Sequence, residues 1–234
     1  LVGIEIAKSD WTPLNDWQIF HDFFHKGPHC RLLRVDLRSG ESQVIHEEKI
    51  WLGHPIYRPF DDHTVAFCHE GPHYLVDAPG ESCTHEFWVP DGSALIYVSY
   101  LKGQQGRTIY RFDPESGVNE ALMTMPACSH LMSNFDGTLL VGDGSGTPVD
   151  VKDTSGYSID NDPWLYVFNV AEKRFLRVGR HDTSWATVAN SRQVTHPHPS
   201  FTPDDSAILF SSDKDGKPAI YIAKLPAHPS MLSA

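Results

Sequence analysis

One unit recurs four times along this sequence, and it constrains the fold more than any other feature. Each copy has a histidine, a short stretch, a phenylalanine, an aspartate-containing turn and then an alternating apolar strand. The copies lie at 53–68, 84–99, 129–142 and 195–210. Asp-Gly and Asp-Asp pairs between β-rich runs are typical of hairpin turns. Each copy therefore predicts a β-hairpin.

A second unit follows most copies of the first. It consists of an aromatic or aliphatic strand, an acidic turn and another strand, at 30–41, 108–118 and 164–175, with a truncated version at 219–225. Two hairpins per repeat make four short antiparallel strands, which is the make-up of a β-propeller blade. The sequence therefore predicts an all-β chain of about four to five propeller blades. A generic β-sandwich is the alternative.

The intervals between the repeat histidines are unequal. His54 and His85 are 31 residues apart, His85 and His130 are 45 apart, and His130 and His196 are 66 apart. One blade of this type takes about 40–45 residues. A polar, Gly/Asp-rich insertion from Gly142 to Asp162 lengthens the last interval, and we expect it to form a loop on one propeller face.

The short interval indicates a missing hairpin. A strand that begins at His73 reaches Ala78 and passes directly to Pro79. We expect that a segment is absent between Ala78 and Pro79. We also expect that N-terminal blades are absent, because four to five blades cannot close a ring. On this interpretation residues 1–234 are a single, incomplete β-propeller domain.

One segment departs from the β pattern. Residues 16–25 have the apolar periodicity of a helix. The apolar face consists of Trp17, Phe20 and Phe24. His21 and His25 are four residues apart and could bind a metal, but such a pair more often lies on the solvated side of a short helix.

Fourteen histidines in 234 residues are many, and several occupy equivalent places in successive repeats. These are His54, His85, His130, and His196 with His198. Equivalent positions in a propeller lie at the same radius and height, so strands that enter from the central channel bring such side chains around one axis. We therefore expect histidines that are far apart in sequence to form one site.

The sharpest local signal is Q-V-T-H-P-H-P at 193–199. On an extended chain, which the interleaved prolines favour, His196 and His198 point to the same side. Gln193 can add an amide oxygen. An imidazole-rich set of this kind suits a borderline divalent metal such as Mn, Fe, Co, Ni or Zn. The alternative is a pair of histidines that cap a strand beside turn prolines.

Other histidines allow more than one interpretation. His85 could be a further ligand, a general base, or a buried histidine bonded to a neighbour such as Glu86. His54 lies beside a proline and fits blade structure, His69 fits a loop dipeptide, and His73 has a similarly weak case as a site residue.

Charge and cysteine spacing narrow the class of partner and compartment. The chain has 19 Lys and Arg against 30 Asp and Glu, a net charge of -11, and no basic run, so we expect no nucleic-acid partner. No apolar run approaches the roughly 20 residues of a membrane span, so we expect no membrane partner. The four cysteines are far apart and form no C-x-x-C pair. This spacing argues against a disulfide framework and favours a reducing compartment, the cytoplasm.

Five stretches of the sequence are long and specific enough to suggest a family. They are S-C-T-H-E-F-W at 82–88, A-C-S-H-L-M-S-N at 127–134, R-Q-V-T-H-P-H-P-S-F-T-P-D at 192–204, D-W-T-P-L at 10–14 and R-H-D-T-S-W at 180–185. They resemble the oligogalacturonate lyases, which are metal-dependent enzymes of pectin breakdown with a seven-bladed β-propeller. The resemblance covers nearly the whole chain and implies that it corresponds to the C-terminal blades.

The resemblance also implies residue roles. It implies that His85 is the Brønsted base. The residues that it implies as ligands of a manganese ion are His130, Gln193, His196 and His198. Members of the family also have an arginine on the strand after V-D-A. Here Ala78 is followed by Pro79, so that arginine has no counterpart.

A divalent metal and one imidazole are a sufficient apparatus for cleaving a 4-linked uronide by β-elimination. The C5 proton is weakly acidic because its loss puts a carbanion beside a carboxylate. A metal on that carboxylate neutralises the charge, and a neutral imidazole, with an ordinary pKa near ~6.5, is a suitable base. The expected partner is a small acidic oligosaccharide. A non-catalytic binding propeller and the propeller domain of a prolyl-peptidase-like hydrolase are the alternatives.

Overall fold

The computed structural model describes residues 1–11, 22–23, 26–70, 81–101, 107–126, 128–144, 162–186 and 195–225. Sixteen strands lie in these residues and form five sheets, so the all-β prediction is confirmed. Within the same residues, no helix has the length and apolar character needed to cross a membrane. Packing divides the chain into two units, Leu1–Glu81 and Ser82–Ala234.

The first unit contains two small sheets. The three-stranded antiparallel sheet consists of β1 (Val2–Ile6), β2 (His29–Val35) and β3 (Ser42–Lys49). The second sheet pairs β4 (Trp51–Tyr57) with β5 (Val65–Glu70). The core of this unit is formed by Cys30, Leu32, Ile50 and Leu52, with Phe67 among the side chains packed against them.

The second unit contains three sheets, in which the strands follow one another in chain order. The first has β6 (Glu81–Trp88), β7 (Leu95–Leu101), β8 (Arg107–Phe112) and β9 (Asn119–Met125). The next has β10 (Cys128–Ser133), β11 (Leu139–Gly144), β12 (Trp164–Asn169) and β13 (Arg174–Arg180). The last has β14 (Ser200–Phe201), β15 (Ala207–Ser212) and β16 (Ala219–Lys224). Two of the three thus have the four strands of a propeller blade.

The sheet β10–β13 has an apolar core on each face. Successive residues of a strand point to opposite faces, and β12 uses both. Tyr166 and Phe168 belong to the core shared with β7 and β8, whereas Leu165 and Val167 belong to the core shared with β15. The apolar run of β12 is therefore that of a strand buried on both sides, and blades stack face to face in this way.

Each of the four repeat turns contains the same type of hydrogen bond, which explains why aspartate recurs in them. In each turn an aspartate Oδ1 accepts a hydrogen bond from the backbone N–H two residues later. The pairs are Asp61 with His63, Asp91 with Ser93, Asp136 with Thr138, and Asp204 with Ser206. These bonds stabilise the turn locally. All four predicted hairpins are confirmed.

Three predictions fall partly or wholly outside the described residues. Of the predicted helix at 16–25, only Asp22 and Phe23 are described, and Phe23 is buried. Residues 145–161 of the predicted loop and the Ala78–Pro79 junction are also outside. The prediction of a single domain that lacks a segment therefore stays a prediction.

Candidate metal centre

The repeat histidines lie where the first strand of a hairpin is irregular. The strand β10 has a bulge around His130, and β4 has one around His54. His54 and His85 have positive φ angles of 45° and 57°. A bulge changes the direction of a side chain, and a left-handed residue other than glycine is uncommon and typical of functional sites. The backbone conformation at these positions is therefore unusual and of a kind that is typical of functional sites.

Three of the predicted ligands come together in the second unit. The nitrogen donors of His130, His196 and His198 all lie within 4.8 Å of one another. The ring centroid of His130 is 3.6 Å from that of His198 and 5.1 Å from that of His196. One ligand comes from β10 and two come from the segment before β14. The three donors are close enough for a single ion to bridge them.

The segment before β14 differs from the prediction at one residue. The sequence predicts an extended backbone through His196 and His198, but His198 has a φ of 43° and is left-handed. Its backbone N–H donates a hydrogen bond to Asp143 Oδ2 at 3.3 Å, which holds this conformation. The two rings still lie side by side, with 23° between their planes. The wholly extended backbone is therefore wrong, although the rings are neighbours as predicted.

Asp143 of β11 contacts the backbone and the Nδ1 side of His130. Its buried carboxylate accepts a hydrogen bond from the backbone N–H of His130 at 2.7 Å and lies 2.8 Å from His130 Nδ1. Burial raises the pKa of Asp143, but the bonds and charge of His130 outweigh this effect, so the pKa lies below its ordinary value. An ionised carboxylate only accepts, so His130 Nδ1 carries a proton, and in the neutral form of the ring Nε2 has the lone pair that can bind a metal.

The surroundings of His196 and His198 lower the pKa values of both rings. Burial, with smaller contributions from the neighbouring His130 and His198, lowers the pKa of His196 to about 4. Burial, with a contribution from His130, also lowers the pKa of His198. Neutral imidazole is the form that binds a metal. The donor set therefore fits a divalent transition ion.

His85 of β6 lies beside this set. Its ring centroid is 5.5 Å from that of His130, and the two rings meet edge to face at 74°. Burial lowers the pKa of His85 to about 4, and the charges of His130 and Arg107 act in the same direction. A neutral imidazole beside a metal centre is placed to accept a proton.

Of the remaining predicted residues, two lie in the first unit and two are outside the described residues. Gln193, the fourth predicted ligand, is outside the described residues, so its role stays a prediction; His73 is outside them as well. His54 is on β4 in the first unit. His69 is on β5, where it pairs with Leu52, so the predicted loop position is wrong because the strand ladder extends that far.

Three residues of the centre were missed by the sequence analysis: Asp143, His181 and Trp185. A signal for Asp143 existed, because a charge in an apolar strand is costly unless it is paired. Trp185 is buried, has a φ of 58°, and its ring centroid lies 4.9 Å from that of His196. His181 Nδ1 accepts from the Thr183 N–H at 3.0 Å, so its Nε2 donates to the carbonyl of Asp162. For His181 and Trp185 the sequence has no local pattern that indicates a site role, apart from the R-H-D-T-S-W stretch that contains both.

A cavity of about 340 Å³ adjoins the centre at Trp185. Its lining includes Trp185, His181 and Arg180. The guanidinium of Arg180 forms an ion pair with Asp182 at 2.7 Å. Trp185 thus contacts the histidine cluster on one side and the cavity on the other.

Comparison with known proteins places the chain beside one group of enzymes. A family model described as oligogalacturonate lyase matches residues 1–79 and 77–229. The chain is 60% identical over 245 residues to the oligogalacturonate lyase of Dickeya dadantii (strain 3937). It is 59% identical over 245 residues to the oligogalacturonide lyase of Pectobacterium atrosepticum. Both alignments cover 97% of this chain, which spans 63% of the length of each relative.

Two solved structures agree with these matches. An oligogalacturonate lyase in complex with manganese superposes with a TM-score of 0.86 at 59% identity, covering 97% of this chain and 62% of that one. An oligogalacturonate lyase from Vibrio parahaemolyticus gives a TM-score of 0.86 at 55% identity, covering 97% of this chain and 63% of that one. Together with the blade sheets, these matches confirm the predicted fold class, part of a β-propeller.

Proposed function

Because the chain belongs to the oligogalacturonate lyase family, we propose that it supplies the metal centre of an enzyme that cleaves short 4-linked oligogalacturonides by β-elimination. The observation that carries this proposal is the convergence of His130, His196 and His198 on one point. The relative in complex with manganese supports Mn²⁺ as the ion. The donors alone would suit zinc or nickel equally well.

The three imidazoles and the amide oxygen of Gln193 would hold the ion. A bound divalent ion supplies positive charge that neutralises the substrate carboxylate and eases loss of the C5 proton. Asp143 keeps the His130 ring in place through two hydrogen bonds. The orientation of the His130 ring is therefore set before the ion binds.

His85 is the residue that takes the C5 proton in this proposal. Its lowered pKa leaves a lone pair available at neutral pH. As the electron pair of the C5–H bond forms the C4–C5 double bond, the C4–O4 bond breaks and O4 leaves with its electron pair and takes a proton from water; His85 then returns the C5 proton to water. The products are a 4,5-unsaturated uronate and a shortened chain.

The cavity beside Trp185 is the space that we assign to the neighbouring sugar. The guanidinium of Arg180, which is paired with Asp182, is the cationic group that this space offers to a substrate carboxylate. Arg180 and Trp185 both line the cavity, and Trp185 also packs against the ligand His196.

The ultraviolet absorbance of the 4,5-unsaturated product tests the proposal. Galacturonide dimers and trimers should give a steady rise in absorbance with Mn²⁺ and no rise after chelation with EDTA. Adding Mn²⁺ back should restore the rate. Saturable binding of the trimer without any absorbance change would support a non-catalytic binding propeller instead.

We also propose that the protein works in the cytoplasm. All four cysteines lie in the described residues and none forms a disulfide; Cys83 is exposed. Such thiols persist in a reducing compartment. Alkylation of the denatured protein, immediately after lysis under blocking conditions, should modify four thiols per chain.

A further inference from the structure

A second group of metal-binding side chains lies in the first unit. It consists of His46 and Glu48 on β3 and His69 on β5, and their donor atoms lie within 4.8 Å of one another. His46 Nε2 is 3.2 Å from Glu48 Oε2, and His69 Nε2 is 3.0 Å from the same oxygen. The two sheets of the unit thus meet at one carboxylate oxygen.

This group lies at the margin of the apolar core. Residues directly opposite each other in an antiparallel pair point to the same face. The cross-strand partners of His46, Glu48 and His69 are Leu32, Cys30 and Leu52, in that order, and all three partners are buried. The polar group therefore faces the same side of each sheet as the core and closes its edge.

Phe67 restricts the two imidazoles. It precedes His69 by two residues on β5 and packs against the core. Its ring centroid is 5.3 Å from that of His46 and 5.5 Å from that of His69. Rings that contact an anchored side chain have lost part of their rotational freedom already, so less entropy is lost when they bind a ligand.

We propose that His46, Glu48 and His69 form a second metal site, which takes a zinc ion and joins the two sheets of the first unit. Two imidazoles and one carboxylate are an established ligand set for zinc. Zinc bonds of about 2.0–2.1 Å in a tetrahedron place neighbouring donors about 3.3 Å apart. The observed Nε2–Oε2 distances of 3.2 and 3.0 Å come close to this spacing. The side chains are 41%, 46% and 43% exposed, which gives water access to the fourth position.

Zinc replaces two hydrogen bonds at this site. Without the ion, each Nε2–H donates to Glu48 Oε2. The hydrogen bond from His46 is the largest cause that holds the pKa of Glu48 below its ordinary value, so the carboxylate is ionised and ready to bind. With the ion, both rings offer their Nε2 lone pair and carry the proton on Nδ1.

Equilibrium dialysis against Zn²⁺ with elemental analysis tests the site in the intact chain. Glu48→Gln and His69→Gln should each bind one equivalent of zinc fewer than the parent protein. The control is His63→Gln, which removes an 82% exposed histidine paired with Asp62 at 3.1 Å. This control should bind as much zinc as the parent. Equal zinc binding by the parent and both cluster variants would overturn the proposal and leave only a hydrogen-bonded group.

A second measurement starts from a protein in which His46, Glu48 and His69 are unchanged. In a His130→Ala/His198→Ala protein the other centre is disabled, so zinc should still bind and should raise the midpoint of thermal unfolding. Adding Glu48→Gln to that protein should abolish the rise. Absence of any zinc-dependent rise in the His130→Ala/His198→Ala protein would also overturn the proposal. Neither result bears on the lyase activity, which rests on the other cluster.

Discussion

The two histidine clusters differ in where their carboxylate lies. In the second unit Asp143 is buried and sits behind the His130 ring, on its Nδ1 side. In the first unit Glu48 is partly exposed and sits in front of His46 and His69, on their Nε2 atoms. A carboxylate behind an imidazole orients it and frees the other nitrogen, whereas a carboxylate in front is itself a ligand.

This difference indicates what each cluster is suited to do. In the second-unit cluster the pKa values of His196 and His198 are lowered, and a further imidazole with a lowered pKa, His85, lies beside them, so the cluster can combine metal binding with proton transfer. The first-unit cluster connects two sheets through side chains that already bind one another, so an ion bound there would cross-link the two sheets. Convergence of histidines predicts a metal site, but the position of the carboxylate separates the two roles.

The largest expected effect concerns the rate of elimination. His85→Ala removes the proposed base but none of the three proposed ligands that converge, so the rate should fall on the order of 10²–10⁴-fold with the manganese content unchanged. Initial rates and elemental analysis on one preparation measure both. His63→Ala, at an exposed surface position, should keep the parental rate. A metal-free His85→Ala protein would make His85 a ligand and end its assignment as base.

Removing one of the proposed ligands should weaken manganese binding more than changing Asp143, which contacts the ligand His130 but not the ion. For His198→Ala we expect a loss of affinity above the roughly 10–100-fold that an outer partner contributes. The protein should stay folded, because no core side chain is removed. Titration calorimetry with Mn²⁺ and circular dichroism give the two values. Full manganese occupancy in this variant would contradict the assignment of the centre.

Asp143→Asn tests the carboxylate that lies behind the ring. The amide keeps the size of the side chain but loses the charge, so manganese affinity should fall about 10–100-fold. The metal-free protein should also lose about 1–3 kcal/mol in its free energy of unfolding, because a buried hydrogen-bond pair is weakened. Calorimetry and urea unfolding measure these effects. Unchanged manganese affinity would mean that Asp143 does not orient His130.

The smallest expected effect is that of Glu48→Gln on the free energy of unfolding. Without metal, Glu48→Gln should change the free energy of unfolding by less than about 0.5 kcal/mol, because the side chain is exposed and surface substitutions usually have effects of this size. Urea unfolding in EDTA measures this value beside that of Asp143→Asn. If Glu48→Gln proves as costly as Asp143→Asn, the contrast between the two carboxylates does not hold.

Local features of the fold could be predicted from the sequence. The hairpins were predictable because each aspartate turn depends on hydrogen bonds to residues only two positions away. The convergence of His130 with His196 and His198 followed from repeat spacing and from the family resemblance.

Features that depend on strand register could not be predicted. Asp143 contacts the backbone of residues 13 and 55 positions away, and this pairing follows from how β10, β11 and the segment before β14 align. The first-unit cluster was missed for the same reason, since His69 reaches Glu48 across 21 residues and two sheets. No local pattern encodes such alignments.

The two cores of the sheet β10–β13 also affect how the second unit unfolds. Opening this sheet would expose Tyr166 and Phe168 on one side and Leu165 and Val167 on the other, so a partial opening there is nearly as unfavourable as global unfolding. The edge strand β16 has no such protection, since Ile220 and Ile222 are already exposed. Slow amide exchange should therefore concentrate in β11 and β12. Because Asp143 is on β11 and bonds His130, the orientation of the His130 ring depends on the part of the unit that opens last.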